Sequence, residues 1–224
     1  AINLMLALSM RIFIWCLVFT FLTSEAFGQW TWVHPQPCGN VPSSMTATDS
    51  MHVWITTSGG SVIYTKNGGR DWKLWQSDSN VIMLSVSFAD SLRGWVSAEH
   101  CAIYKTTDGG ESWTHSTIPD YPPGDIRFTD SLNGWVGSRT TTNLRHTTDG
   151  GNTWDTVPVS INSSLARVAF PDANHGWTGE NGDCVYNTDN GGVTWGTQCS
   201  NFPAWMTKFC FPDTLTGYML SAYD

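Results

Sequence analysis

The sequence predicts an all-β fold, a β-propeller of four-stranded antiparallel blades, because two motifs recur along it in the same phase. A glycine-rich turn ending in tryptophan recurs every 41 residues and closes at Trp72, Trp113, Trp154 and Trp195. A second turn recurs at intervals of 40 to 42 residues and ends at Trp54, Trp95, Trp135, Trp177 and Tyr218. It reads D-x-x-x-G-W in three copies, with Val53 in place of the glycine in the first copy and Tyr218 in place of the tryptophan in the last. Repetition at this period is typical of an array of supersecondary units, none of which buries its apolar face alone.

The strands of one blade follow from the second copy of the repeat. Val86 and Phe88 alternate with polar neighbours, which indicates a strand before the D-x-x-x-G-W turn. Residues 95–98, 102–105 and 112–114 supply three more short strands. Four strands in one period are typical of a propeller blade. The strand before each D-x-x-x-G-W turn is predicted to be innermost, at residues 86–88, 126–128, 168–170 and 209–211.

The length after the N-terminal segment corresponds to about five blades, since residues 29–224 span nearly five periods. A closed propeller needs its last blade to meet its first, and fewer than six blades are uncommon. Residues 1–9 precede the first plausible initiator, Met10, and the chain stops just after a D-x-x-x-G-Y turn. We therefore expect an incomplete propeller from a truncated reading frame.

The N-terminal segment is typical of an export signal. Met10-Arg11 is followed by the apolar run 12–22 and by Ala26-Phe27-Gly28, a small-x-small cleavage site. We therefore assign residues 1–28 to upstream sequence plus signal peptide and residues 29–224 to the propeller. The expected location is secreted, periplasmic or cell-surface, with no stable membrane insertion after cleavage. A membrane anchor is the alternative, because residues 2–22 are mostly apolar.

The net charge argues against two classes of partner, and the cysteine content predicts a disulfide. A net charge of −8 and a pI near 5.0 argue against nucleic acid and anionic membranes, which bind clustered Lys and Arg. Five cysteines follow the signal, an odd number. Cys184 and Cys199 lie almost symmetrically about the Asn190-Gly191-Gly192 turn and are the predicted disulfide. The alternative is that all five are separate buried thiols.

The glycine-rich turn has the form [S/T]-x-[D/N]-x-G-x-[S/T/D]-W, which is identified as the Asp-box, or bacterial neuraminidase repeat. The whole period over residues 40–224 resembles exported BNR-like propellers related to the photosystem II stability and assembly factor. The resemblance implies a structural role for the Asp-box residues, in which the acid accepts turn hydrogen bonds and the tryptophan packs beneath. These residues are Asn67, Trp72, Asp108, Trp113, Asp149, Trp154, Asn190 and Trp195.

In propellers of this family ligands usually meet the face opposite the Asp-boxes. The loops expected there differ between copies, whereas the Asp-box hairpins stay nearly the same, and variable loops on a repeated frame are where recognition is usually placed. The candidate ligand-binding residues are Glu99, His100, Arg139, Glu180, Asp183, Tyr121 and Trp205. For Glu99, Glu180 and Asp183 the alternative is an ordinary solvated loop acid.

The sequence favours a non-enzymatic scaffold that binds a protein or a glycan. Eight of the thirteen tryptophans belong to the two repeated motifs, so packing explains most of them. The six histidines are scattered without metal-ligand spacing, and we expect no metal and no cofactor. A sialidase is disfavoured because the chain has no Arg-Ile-Pro segment. The alternative is a secreted glycoside hydrolase of the Asp-box type, with its carboxylates among Glu99, Glu180 and Asp183.

Overall fold

The computed structural model describes residues 39–77, 81–159, 164–179, 184–199, 205–211 and 213–222. These residues all lie in one compact unit, Pro35–Asp224. The predicted signal peptide lies outside the described residues, so the boundary at residue 28 stays a prediction. No helix in the described part of the chain is long and apolar enough to cross a membrane.

The described chain is all-β, with strands that pair only with antiparallel neighbours. The first blade consists of β1 (Pro42–Ala47), β2 (Val53–Thr57), β3 (Ser61–Thr65) and β4 (Lys73–Gln76). The second blade consists of β5 (Met83–Phe88), β6 (Gly94–Ala98), β7 (Ala102–Thr106) and β8 (Thr114–Thr117). Each sheet keeps the order of the sequence, as the repeat predicts.

The third and fourth blades have the same plan, and a two-stranded sheet follows them. The third consists of β9 (Pro123–Phe128), β10 (Gly134–Ser138), β11 (Asn143–Thr147) and β12 (Asp155–Pro158). The fourth consists of β13 (Arg167–Ala169), β14 (Gly176–Gly179), β15 (Cys184–Thr188) and β16 (Gly196–Cys199). The last sheet pairs β17 (Trp205–Cys210) with β18 (Tyr218–Ala222).

The first strand of each blade is innermost, which confirms the prediction. β1 contacts β5, β5 contacts β9, β9 contacts β13, and β13 contacts β17. The fourth strands of the four complete blades are mostly exposed. They also begin later than the sequence suggested, since β8 starts at Thr114 rather than at Ser112. The reason is that the Ser112 amide donates to Asp108 Oδ1 and so completes the turn instead of the strand.

An aromatic triad fills each junction between complete blades. It consists of the D-x-x-x-G-W tryptophan of one blade, a first-strand phenylalanine of the next blade and the Asp-box tryptophan of that next blade. Trp95 lies 3.5 Å from Phe128, ring centroid to ring centroid, with nearly parallel planes, and Trp154 meets Phe128 edge-on. The other two triads are Trp54, Phe88 and Trp113, and Trp135, Phe170 and Trp195. The phenylalanines and the D-x-x-x-G-W tryptophans of these triads are buried in the core of the described propeller, and the partly buried Asp-box tryptophans pack against them.

The glycine of the D-x-x-x-G-W turn makes room for the triad. A Cβ atom at Gly134 would lie 2.5 Å from Cζ of Phe128, and Gly94 and Gly176 face Phe88 and Phe170 in the same way. The phenylalanine ring thus lies directly over glycine backbone. This contact explains why glycine recurs immediately before the repeated tryptophan.

The third and fourth blades approach each other through their backbones. The Ser138 amide donates to Leu165 O at 3.0 Å, and the Asp125 amide donates to Ala166 O at 2.7 Å. A Cβ atom at Gly137 would lie 2.3 Å from Leu165 O. Only glycine therefore fits at this position of β10.

Cys184 and Cys199 form a disulfide that joins β15 to β16, where the two residues are directly opposite. Cys101 and Cys210 are free thiols. Cys38 lies outside the described residues. The pair identified from its symmetry about the Asn190 turn is therefore the pair that the structure joins.

Candidate functional site

The propeller presents two chemically different faces. The Asp-box face carries the D-x-x-x-G-W turns beside the Asp-boxes, as shown by the Gly109 amide, which donates to Leu92 O at 2.8 Å. The loop face carries the connections between second and third strands beside the links between blades. On this face the Glu99 amide donates to Ile82 O, and the Arg139 amide donates to Pro122 O.

The Asp-box acids stabilise their own turns. Asp149 Oδ1 accepts from the Thr147 hydroxyl at 2.8 Å and from the Thr153 amide at 2.9 Å, while Oδ2 accepts from the Thr153 hydroxyl at 2.7 Å. These bonds hold the pKa of Asp149 well below its usual range. At Asp108 desolvation acts in the opposite direction, but hydrogen bonds from Ser112 and Thr106 still lower the pKa to about 2.

Asparagine performs the same task in the first and fourth blades. Asn190 Oδ1 accepts from the Thr188 hydroxyl and the Thr194 amide, both at 2.9 Å. Its Nδ2 donates to the Thr194 hydroxyl at 2.7 Å. Because an uncharged amide reproduces these contacts, the turn requires an acceptor oxygen and not a carboxylate. The described residues contain no group of three or more His, Cys, Asp or Glu side chains placed to hold a metal ion.

The lowered pKa values of Asp108 and Asp149 predict that the fold loses stability in acid, and that replacing both residues by asparagine reduces this loss. A carboxylate whose pKa is lower in the folded than in the unfolded chain stabilises the fold above the unfolded pKa, 3.8, and that stabilisation is lost as pH falls through the folded pKa, about 2 at Asp108. We expect the Asp108→Asn, Asp149→Asn double variant to show a flatter fall in melting temperature between pH 4 and pH 2 than the wild-type chain. An equal fall in melting temperature for the two proteins would show that these acids do not cause the loss of stability at low pH.

On the loop face the structure brings together two of the predicted site residues. Glu99 Oε1 of the second blade lies 3.9 Å from Arg139 Nη1 of the third blade. Their side chains are 36% and 52% exposed, so the pair contributes little to stability and stays available to a ligand. His100 is exposed beside them, in a left-handed turn with φ of 59°.

Three of the other predicted site residues cannot be placed in this surface. Glu180 and Asp183 lie outside the described residues. Trp205 begins the inner strand β17, but its side chain is outside the described part of the chain. These three assignments stay predictions.

The expectation for Tyr121 is corrected, because this side chain is only 1% exposed. Its hydroxyl donates towards Val136 O at 2.8 Å and lies 3.0 Å from Asn143 O, and burial raises its pKa well above the usual range of a tyrosine. Arg145 lies over the ring, with Cζ 5.0 Å from the centroid. Tyr121 therefore fastens the link between the second and third blades to the third blade, and no ligand reaches it.

The first strands line an open channel that sequence analysis did not single out. A cavity of about 610 Å³ is lined on these strands by Ser43, Ser85, Asp125, Arg127, Val168 and Phe209. Arg127 occupies the polar position of the alternating triplet Ile126-Arg127-Phe128, an ordinary strand pattern. The matching residues of the next two copies are Ala169 and Cys210. A comparison between copies is therefore the signal that could have identified Arg127.

Arg127 brings a positive charge into the channel. Its Nε donates to Phe170 O at 3.3 Å, a neutral partner. The nearby acid Asp125 lies instead 3.2 Å from Arg167 Nη1. No ion pair to Arg127 occurs within the described residues. Desolvation by the surrounding channel residues lowers the pKa of Arg127, although its side chain stays accessible to solvent and the arginine stays protonated at neutral pH.

Residues 70–162 match the model of the family described as the photosynthesis system II assembly factor YCF48. A comparison with curated protein sequences gives no match. Among solved structures, the chain is similar to YCF48 bound to a D1 peptide, at 16% identity and a TM-score of 0.51, covering 83% of this chain and 91% of that one.

Two further solved structures have the same fold. YCF48 from Cyanidioschyzon merolae is 18% identical with a TM-score of 0.64, covering 80% of this chain and 63% of that one. An ancestral GH74 enzyme is 18% identical with a TM-score of 0.66, covering 84% of this chain and 28% of that one. The chain thus spans less than two thirds of either protein. At these identities the likeness shows the fold, and the binding chemistry must come from this chain's own residues.

Proposed function

We propose, from the premise that this chain is a BNR-type β-propeller related to the photosystem II assembly factor, that it is a non-enzymatic scaffold that binds an extended segment of a protein partner. The segment would lie on the loop face and enter the channel between the first strands. The predicted signal peptide supports the further proposal that this binding takes place outside the cytoplasm.

The observation that carries the proposal is the charge of Arg127 in the channel. The side chain is accessible to solvent, and its one described hydrogen-bond acceptor is a backbone carbonyl. Guanidinium groups bind carboxylates through two parallel hydrogen bonds, which are stronger where water is partly excluded. An acidic side chain or a C-terminal carboxylate of a partner would supply that missing anion.

The loop face and the channel are close enough to bind one segment. The Arg139 amide is bonded to Pro122 O at the start of β9, and Arg127 lies five residues further along that strand. At about 3.3 Å per residue this separation is roughly 16 Å, the length of about five extended residues. The related YCF48 structure that holds a D1 peptide supports a peptide as the ligand class.

The proposal predicts that Arg127 controls affinity for acidic peptides. A random library of peptides of about eight residues, each long enough to cross the channel at roughly 3.3 Å per residue, is selected on the purified chain. We expect the selected peptides to be enriched in Asp, Glu or a free C-terminus. Calorimetry of the best binder should show about tenfold or more loss of affinity for Arg127→Gln, the usual cost of a charge-assisted pair.

Arg93→Gln is the matched control, because Arg93 is an exposed arginine of the Asp-box face whose Nε lies 2.9 Å from Asp90. This variant should bind the peptide as the wild type does. Equal losses in both variants would indicate general charge attraction and would contradict a site at Arg127. Selection of peptides without acids would contradict the ligand class.

The glycoside hydrolase alternative predicts a different result. Both retaining and inverting hydrolases need two carboxyl groups across the scissile bond, one of them protonated. On the described loop face and channel, Glu99 is ion-paired with Arg139 and Asp125 is ion-paired with Arg167. We therefore expect no reducing sugar from xyloglucan, β-glucans or sialosides. Release of reducing sugar by the wild-type chain that is lost in Glu99→Gln or Glu180→Gln would contradict the scaffold proposal and support the hydrolase.

A further inference from the structure

Two successive first strands carry opposite charges at the same position of the repeat. Five residues before the aspartate of each repeated turn, the first four blades have Ser44, Ser85, Asp125 and Arg167 in order. The position is therefore neutral in the first and second blades, acidic on β9 and basic on β13. The change of charge coincides with the junction to which Arg127 of the third blade belongs.

Asp125 and Arg167 form an ion pair across this junction. Arg167 Nη1 lies 3.2 Å from Asp125 Oδ1, and the two side chains are 30% and 13% exposed. The Asp125 amide also donates to Ala166 O at 2.7 Å, so the backbone of β9 holds the acid beside the fourth blade. Solvent ions screen such a partly buried pair less than a pair on the open surface.

Asp125 is close enough to Arg127 to compete for its charge. Both residues line the channel, and they are two positions apart on β9. Side chains two apart on a strand lie on the same face, at a separation of roughly 7 Å along the strand. Both point to the fourth blade, since Arg127 Nε donates to Phe170 O and Asp125 pairs with Arg167. An extended arginine side chain can span this separation, so Asp125 would attract the Arg127 guanidinium once Arg167 no longer paired with it.

The placement of Arg167 suits a residue that acts through Asp125. The channel lining within the described residues includes Asp125 and Arg127 but not Arg167. Arg167 Nε is buried and has no hydrogen-bond partner in the described part of the chain. A partly buried ion pair that leaves one donor unsatisfied is a weak way to stabilise a fold. What the pair does achieve is to neutralise the acid beside Arg127.

We infer that Arg167 is a positioning residue for the peptide site: by pairing with Asp125 it keeps the Arg127 guanidinium available to a carboxylate of the partner. The inference rests on the proposed function, in which Arg127 binds that carboxylate. With Arg167 in place, one acid and two arginines leave an excess of positive charge at this junction. Without it, Asp125 and Arg127 neutralise each other.

The experiment measures the affinity of the best selected acidic peptide by calorimetry. Arg167→Met should weaken binding about tenfold, because Asp125 then pairs with Arg127. Adding Asp125→Asn to this variant should restore the wild-type affinity, since the uncharged amide does not compete. Arg93→Met is the matched control: it breaks an arginine–aspartate pair of the Asp-box face, in which Arg93 Nε lies 2.9 Å from Asp90, and should bind as the wild type does.

The double variant separates positioning from direct binding. If Arg167 contacted the peptide itself or only held the blades together, the double variant would stay as weak as Arg167→Met, and this result would overturn the inference. The comparison of the double variant with Asp125→Asn alone avoids any chain with an unpaired Asp125, which Arg167→Met could leave too unstable to fold. These two proteins should bind the peptide equally, and weaker binding by the double variant would overturn the inference.

A measurement without peptide distinguishes this inference from the proposed function. The NMR resonance of the Arg127 Nε–H group should shift in Arg167→Met and return towards its wild-type position when Asp125→Asn is added. An unchanged resonance in Arg167→Met would overturn the inference whatever the peptide result. A shifted resonance in a chain that binds no acidic peptide would support the control of Arg127 by Arg167 and contradict the proposed function instead.

Discussion

Trp95→Ala is expected to destabilise the propeller by about 4 kcal/mol, within the usual range for emptying a buried aromatic site. Trp95 is 0% exposed, and its ring stacks on Phe128 of the next blade. The substitution also removes the donor to Gly150 O and leaves that carbonyl without its tryptophan partner. Urea unfolding followed by circular dichroism measures the loss.

The matched control is Trp177→Ala, which changes the same position of the motif where the next Asp-box is absent from the described residues. Because Trp177 is only partly buried, we expect a loss of about 1–2 kcal/mol. The difference between the two losses of unfolding free energy therefore measures what the Asp-box hairpin contributes by packing on the Trp–Phe stack. Equal losses would show that this hairpin adds no stability to the stack.

Gly137→Ala is expected to cost about 3 kcal/mol or more, at the upper end of the usual penalty for overpacking. The new methyl group would lie 2.3 Å from Leu165 O and 2.8 Å from Ala166 O. Both obstacles are backbone atoms, and the Ser138–Leu165 hydrogen bond holds the strands at this separation. The blades could separate only by breaking that bond.

Thermal unfolding of Gly137→Ala should therefore begin well below the wild-type melting temperature. Gly39→Ala is the control, since a Cβ atom there would have no other atom within 4 Å. We expect the control to melt as the wild type does. A stable Gly137→Ala protein would contradict the close backbone approach of the third and fourth blades.

The blade plan was predictable because each blade is encoded locally. The alternation of Val86 and Phe88, the turn that follows and the Asp-box at Asp108 all lie within one period, so one copy specifies four strands and three turns. The innermost position of the first strand also followed from the common offset. The start of β8 was not predictable to the residue, because it depends on whether the Ser112 amide bonds to a strand or to Asp108.

The candidate site was predictable only in part, since its residues meet across blades. Glu99 and Arg139 were identified from their loops, but their approach depends on how neighbouring blades pack. Tyr121 was predicted to be an exposed residue of the connection between blades. Its burial depends on the carbonyls of Val136 and Asn143, which contact its hydroxyl from later strands. Arg127 had no local signal, because a polar residue at that strand position is ordinary in any antiparallel sheet.

Each aromatic triad joins a tryptophan of one blade to two rings of the blade that follows it in the sequence, which matters while the chain is being synthesised. Trp54 belongs to the first blade, yet its cover, Phe88 and Trp113, belongs to the second. On the ribosome Trp54 therefore stays uncovered until Trp113 has been made, and each later junction repeats the delay. A growing propeller thus carries one apolar tryptophan at its leading end at every stage, a surface that a chaperone would recognise.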